Sequence, residues 1–209
     1  MKLTRVATNI SHVLILSLTL VVFAPNTPKT TALAPASYAN YRAFVKTACN
    51  STTYPTMCYN SLSPYASAIK ADEIKLCTTA LSLNAKAAKE ASSVVSKLLK
   101  NAQISCGSIR RPETLILRDC LDEIRDTADE LKQAAVELKT LSRRGGDAAE
   151  RVMNARTFVS SALTDETTCT DEFDERKVNA DMKKKVKKAM VNLARTTSIT
   201  LALFTGLRY

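Results

Sequence analysis

From Pro64 onward, apolar residues return every three or four positions, and almost no stretch alternates with the two-residue period of a strand. The first run is Ile69, Cys77, Ala80/Leu81, Ala87/Ala88, Ala91, Val94/Val95 and Leu98/Leu99, which predicts one long helix. "NAQISCGSIRRP" interrupts it, and Pro112 suits the first turn of a second helix. There Leu117, Leu121, Ile124, Ala128, Leu131, Ala135 and Leu138 step by four and three, the seam of left-handed bundle packing. "SRRGGD" ends that seam, with Gly145-Gly146 as breaker and Asp147 as N-cap of a third helix lined by Val152, Ala155, Phe158/Val159 and Ala162/Leu163. The polar "TDETTCTDEFDE" reads as a connection to a fourth helix from about Asp174 to Leu207. Short turns between four long amphipathic helices predict an all-α fold, an up-down-up-down four-helix bundle over 65–207.

The N-terminal 36 residues change the picture of where the chain works. The first 36 residues contain no acidic side chain, begin with Lys2 and Arg5, and run through "ISHVLILSLTLVVFA". That apolar run has the length of a signal-peptide core, and Ala34-Pro35-Ala36 before Ser37 is one small-residue cleavage option. A membrane anchor needs about 20 apolar residues, and this run is shorter and interrupted by Ser17 and Thr19. Residues 1–36 therefore read as a secretory signal cleaved somewhere within 24–37, leaving a soluble, extracytoplasmic chain over 38–207 in which disulfides are permitted.

Removing Lys2, Arg5 and Lys29 lowers the net charge from +10 to about +7, and the one histidine, His12, leaves with the leader. A mature chain without His or Trp has no His-dependent nucleophile, His-ligated metal or His general base. No catalytic residue, metal or cofactor is expected. A carboxylate-only glycosidase needs no histidine, yet four tight helices offer no evident cleft for a sugar. Lipid coating is a weaker reading of the helices, because their stripes are Ala- and Leu-lined seams. Neither a membrane nor nucleic acid is an expected partner.

The six cysteines test the topology. If the second and third helices pair about "RGGD", Cys120 and Cys169 are equidistant from the turn, and Cys120 flanks the seam where it can reach a neighbour. A Cys120–Cys169 bridge follows, closing a loop worth about 4 kcal/mol in the chain-entropy description. Cys77 and Cys106 lie near opposite ends of the first helix, about 30 Å or more apart, so they read as unpaired thiols. Intermolecular pairing of Cys106 stays open. Cys49 and Cys58 remain for a local clip around Pro55, which forbids one continuous helix through 49–58 and makes 38–64 a helical hairpin. A redox pair would be spaced more tightly, and a metal site would need more ligands.

With that cysteine order in place, "CNSTTYPTMC" at 49–58 resembles the opening signature of the plant invertase and pectin methylesterase inhibitor family. Asp119-Cys120 early in a helix, "SALTDETTCTDEF" at 161–173 and "SITLALF" at 198–204 are similar to its later signatures, so the resemblance spans residues 38–207. It implies a disulfide-clipped hairpin ahead of a four-helix bundle, with bridges Cys49–Cys58 and Cys120–Cys169. Nothing carries over to Cys77 and Cys106. It also implies a non-catalytic inhibitor, secreted to the apoplast and cell wall, that complexes with a carbohydrate-active wall enzyme. Family members acting on acid invertase tend to carry a Pro-Lys-Phe segment, which is absent here; Arg111-Pro112-Glu113-Thr114 precedes the second helix. "TTYPTMCYNSLSPYAS" resembles the pectin methylesterase branch instead. Pectin methylesterase, in a 1:1 complex, is the expected partner, with acid invertase and a non-inhibitory wall-binding module as the alternatives.

Two charged stretches are candidates for contact. On the second helix Asp119, Asp122, Glu123, Asp126, Asp129 and Glu130, with Glu137, fall on positions facing away from the seam. They form either a solvated face or an acidic stripe that docks beside a basic active-site cleft. Between Arg176 and Lys188, seven basic residues make an opposite pole, either solvated or in weak contact with anionic pectin. Asn50-Ser51-Thr52 is the one glycosylation sequon of the mature chain.

Overall fold

The structure, a computed structural model, describes residues 35–106, 112–141 and 147–207, with the side chains of 35, 36, 105 and 106 excepted. Residues 1–34 of the signal peptide expected over 1–36, the breaker Gly145-Gly146 and the side chain of Cys106 lie outside the described set. Helix α1 spans Pro35–Cys49, α2 Pro55–Leu62, α3 Ala66–Ile69, α4 Glu73–Cys106, α5 Pro112–Leu141, α6 Ala148–Glu175 and α7 Ala180–Thr205. A single 3₁₀ turn, Ser63–Tyr65, links α2 to α3, and the described residues contain no strand.

Helices α4 to α7 are the bundle, and their packing is cyclic. Each is packed against its two neighbours (α4 on α5, α5 on α6, α6 on α7, α7 on α4), which places α5 and α7 on opposite corners. The shared core is aliphatic and small, with Leu117, Ile124, Leu131, Leu138, Val159, Met190 and Leu193 almost wholly buried. Alanines 88, 91, 134, 155 and 162 are buried among them, so neighbouring backbones approach closely.

The hairpin sits at one end of the bundle. Proline at the start of α2 terminates the turn that leaves α1, since its fixed φ fits a helix N-terminus and its missing N–H is not needed there. Arg195 of α7 lies over the Tyr54 ring, 5.5 Å from its centroid, tying the hairpin's bend to the last helix. Two consecutive left-handed residues, Lys70 (φ 54°) and Ala71 (φ 58°), separate α3 from α4. Such conformations cost about 1–2 kcal/mol each outside glycine. They are held by Lys70 N–H donating to Ala66 O (3.0 Å) and by Asp72, whose side chain accepts from Lys75 N–H at 3.0 Å.

Three boundaries differ from the pattern reading. The first bundle helix begins at Glu73 rather than Ile69, because Ile69 closes α3 ahead of the left-handed pair; it then continues through "NAQISC" to Cys106. The polar "TDETTCTDEFDE" is not a connection but the last three turns of α6. Its buried positions Ala162, Glu166, Cys169 and Phe173 keep the four-three-four stripe, and one of them is a carboxylate that a hydropathy pattern passes over. Helix α7 accordingly starts at Ala180, capped by Asn179, whose side-chain oxygen accepts from Asp181 N–H (3.0 Å) and Met182 N–H (3.1 Å). Asp147 does stand at the N-cap of α6, but its side chain makes no capping bond.

Candidate functional site

Helix α5 buries Ile124, Thr127, Leu131, Ala134 and Leu138. The expected seam residue Ala128 is exposed, and Thr127 takes its place. A threonine can enter the core when its hydroxyl finds an acceptor, and Thr127 Oγ1 donates to Ala162 O of α6 at 3.4 Å. The stripe is thereby turned toward α6, and that rotation decides where the carboxylates go. Asp119, Asp122, Asp126 and Asp129 are exposed. Glu123 and Glu130, expected to face away from the packing, are half-buried along the border with α6. Asp122 is ion-paired to Arg125 within the same helix, and Glu137 accepts from Arg151 of α6 at 3.2 Å.

Helix α6 adds carboxylates of its own to this border. Asp165 is held up at about 7 by burial, by the charge of Glu130 and by a hydrogen bond with it, and by Asp126. Glu123 is raised by burial and by Asp165, Asp126, Glu172 and Asp119; Glu172 is raised by burial and by Asp119. The face is therefore a two-helix carboxylate ladder rather than a stripe on α5 alone. Glu130 Oε2, Asp165 Oδ2 and Glu172 Oε2 are enclosed without hydrogen-bond partners among the described residues. Such a ladder repels itself in the free protein and is relieved by a cation placed over it. Further along the α5–α6 border, Val136 is exposed and Phe158 half-buried in a shallow groove with Asp129, Lys132, Gln133 and Glu137. An apolar spot rimmed by charge has the make-up of a protein-contact surface. Phe158 packs against the core as its helical spacing predicts and also borders this groove, whereas the carboxylates Asp165 and Glu172 escaped the sequence reading. The signal was the stripe 162-166-169-173, which continues the helix and so carries its polar face onward.

The cysteines anchor this border and the hairpin. Cys120 and Cys169 are bonded, with Cα atoms 4.7 Å apart, joining α5 to α6 beneath the carboxylates. Cys49 and Cys58 are bonded with Cα atoms 5.5 Å apart, closing α1 on α2. Cys77 is free and buried at the start of α4, and burial pushes its thiol up to about 12. Asn50 is exposed just after α1, while Thr52 of the same sequon is buried with its hydroxyl donating to Cys49 O at 2.8 Å.

One carboxylate is inside the bundle. Glu166 is 1% exposed, and burial pushes it up to about 8 against the opposing pull of the Thr197 hydroxyl, with Asp165 and Glu130 raising it further. Thr197 Oγ1 lies 2.5 Å from Glu166 Oε1, 3.0 Å from Asn84 Oδ1 and 3.1 Å from Leu193 O. One hydroxyl proton serves only one of these acceptors. A protonated Glu166 that donates to Thr197 frees the hydroxyl for another, so geometry and burial both favour the neutral acid. Among the described residues no group of three or more His, Cys, Asp or Glu is arranged to hold a metal ion.

Comparison with known proteins adds a family match: the family described as Plant invertase/pectin methylesterase inhibitor matches residues 43–203. Pectinesterase inhibitor 4 of Arabidopsis thaliana is 59% identical over 193 residues, covering 91% of this chain and 95% of the relative. The 21 kDa protein of Daucus carota is 37% identical over 172 residues, covering 82% and 86%. A crystal structure of a mutant pectin methylesterase inhibitor from Arabidopsis aligns with TM-score 0.57 over 78% of this chain and 97% of that one; at 21% identity this shows a shared fold.

Proposed function

Because the chain belongs to the plant invertase/pectin methylesterase inhibitor family, we propose that it inhibits pectin methylesterase by laying the carboxylate border of α5 and α6 over the enzyme's active-site cleft, limiting pectin demethylesterification in the plant cell wall. It is an inhibitor rather than an enzyme. The observation that carries the docking mode is the two-helix ladder, in which unrelieved carboxylates flank the apolar spot at Val136 and Phe158. Exposed Asp119, Asp122, Asp126 and Asp129 steer encounter with a basic rim. Glu123 and Glu130 gain most from a facing cation, because their own partners are other carboxylates. The complex is 1:1, using one border per bundle. The N-terminal signal, cleaved somewhere within 24–37, directs secretion, and no helix among the described residues is long and apolar enough to cross a membrane. Asn50, exposed at the edge of the hairpin, is the glycan acceptor in this reading.

The test is charge reversal on the purified mature protein. Asp122→Lys with Asp126→Lys changes the face by four charges without touching the core, and the half-inhibitory concentration against pectin methylesterase rises by roughly 10–100-fold, chiefly through slower association. Unchanged inhibition by the folded double variant removes this border from the interface. Acid invertase assayed in parallel decides the alternative target, for which the lack of a Pro-Lys-Phe segment argues against activity.

A further inference from the structure

The cyclic packing sorts charge by edge. Helices α5 and α6 together carry fifteen carboxylates and six basic side chains. Helices α4 and α7, which share the opposite edge, carry eleven basic side chains and three carboxylates. Between α4 and α7 runs a groove lined by Ala87, Glu90, Ala91 and Val94 on one side and Lys185, Lys188, Ala189 and Asn192 on the other. Exposed Lys86 and Lys97 stand eleven residues apart on α4, about three turns and 16 Å, and exposed Lys184 adjoins the groove on α7. Lys183 and Lys187 are turned to the α6 side, where both pair with Asp174, and Lys185 pairs with Asp181. No carboxylate among the described residues pairs with Lys86, Lys97, Lys184 or Lys188.

We propose that the α4–α7 groove is a second binding face, for a linear polyuronate chain. Its unpaired lysines match a polymer bearing one carboxylate per sugar, and its length accommodates several sugars. Glu90 and Asn192, exposed along the same groove, supply acceptors and donors for sugar hydroxyls. The groove lacks the aromatic platforms on which unpaired nucleobases stack, because its apolar lining is alanine and valine. The same lining offers no large side chain to bury in a lipid surface. Since this edge lies across the bundle from α5 and α6, one molecule can hold demethylesterified wall polymer on one side and the enzyme on the other. The face does not depend on the enzyme-docking reading.

The experiment is retention of the purified mature protein on immobilised polygalacturonate at low ionic strength. Arms with fully methyl-esterified pectin, anionic phospholipid vesicles and single-stranded RNA run beside it, and enzyme inhibition is measured separately. Expected are retention that grows with the free-carboxylate content, collapses as salt screens the lysines, and falls about tenfold or more in Lys184→Glu with Lys188→Glu, while inhibition is unchanged. Equal retention on fully esterified pectin, tighter binding to vesicles or RNA, or a double variant that binds polygalacturonate like the parent each overturns the proposal. Loss of inhibition by the α5 variants with polyuronate retention intact leaves it standing, so the two faces fail separately.

Discussion

Glu166→Gln is the change whose consequences the structure specifies most fully. The side chain is 1% exposed, and burial holds it at about 8 against an ordinary value of 4.5. A tenfold change in proton affinity is about 1.4 kcal/mol, so complete ionisation in the folded state carries a ceiling of about 5 kcal/mol. Below pH 4.5 both folded and unfolded chains are protonated there, and stability is at its full value. As pH rises from 4.5 to 8 the unfolded chain releases this proton while the folded one keeps it, so stability falls; above pH 8 the loss is complete. Asp165, at about 7, acts in the same direction. Glutamine copies the neutral acid, with an N–H in place of the O–H toward Thr197. The variant should match the parent within about 1 kcal/mol at pH 5 and exceed it by several kcal/mol at pH 8. At about 2–4 °C per kcal/mol for a domain of this size, that is a gain in Tm of roughly 10 °C. Calorimetry at pH 5, 6.5 and 8 with both disulfides intact reads it directly. Parallel Tm-against-pH curves for parent and variant would refute the reasoning, because Glu166 would then ionise as easily folded as unfolded.

Three further outcomes follow from other contacts. Cys120→Ser with Cys169→Ser removes a bridge spanning 49 positions, and chemical denaturation should show a loss of about 4 kcal/mol; the shorter Cys49–Cys58 clip should account for less, about 2–3 kcal/mol. Arg156 of α6 donates to Phe204 O (3.0 Å) and Thr205 O (3.1 Å), capping the C-terminus of α7 with a cation; Arg156→Ala should lower stability by about 1–2 kcal/mol, and lysine, which lacks the fork, should restore only part. In a Cys106→Ser background, the buried Cys77 thiol, pushed up to about 12, should react with iodoacetamide at pH 8 only as fast as the protein unfolds; rapid labelling of the native state would mean that the end of α4 opens locally.

The places where the pattern misled share one cause. The hydropathy pattern passes over Thr127, puts Glu166 in a connection and turns Glu123 and Glu130 away from the packing, because their side chains are polar. Thr127 is buried because Ala162 O of α6 accepts its proton, and Glu166 because burial keeps it neutral beside Thr197. Both conditions are set by another helix and cannot be seen in the local sequence. The extension of α6 through 164–175 was legible in principle, since Cys169 and Phe173 keep the period, but only a reader willing to place Glu166 in the core would have continued the helix.

What the sequence determined by itself was the set of parts. Helix-period stripes, Pro55 as a break, Pro112 as a start, cysteines symmetric about a turn, and the family signatures are local or pairwise features, and periodicity and chain connectivity suffice to read them. The charge of each helix was legible in the same way. Which helices share an edge was decided by the tertiary structure alone. Cyclic packing sets α6 beside α5, so that Asp165 and Glu172 join Glu123 and Glu130 in one crowded border. It also sets α4 beside α7, so that lysines nearly a hundred residues apart in sequence share one edge of the bundle. Electrostatics acts through space, and a field made by two helices exists only once the core has chosen their neighbours.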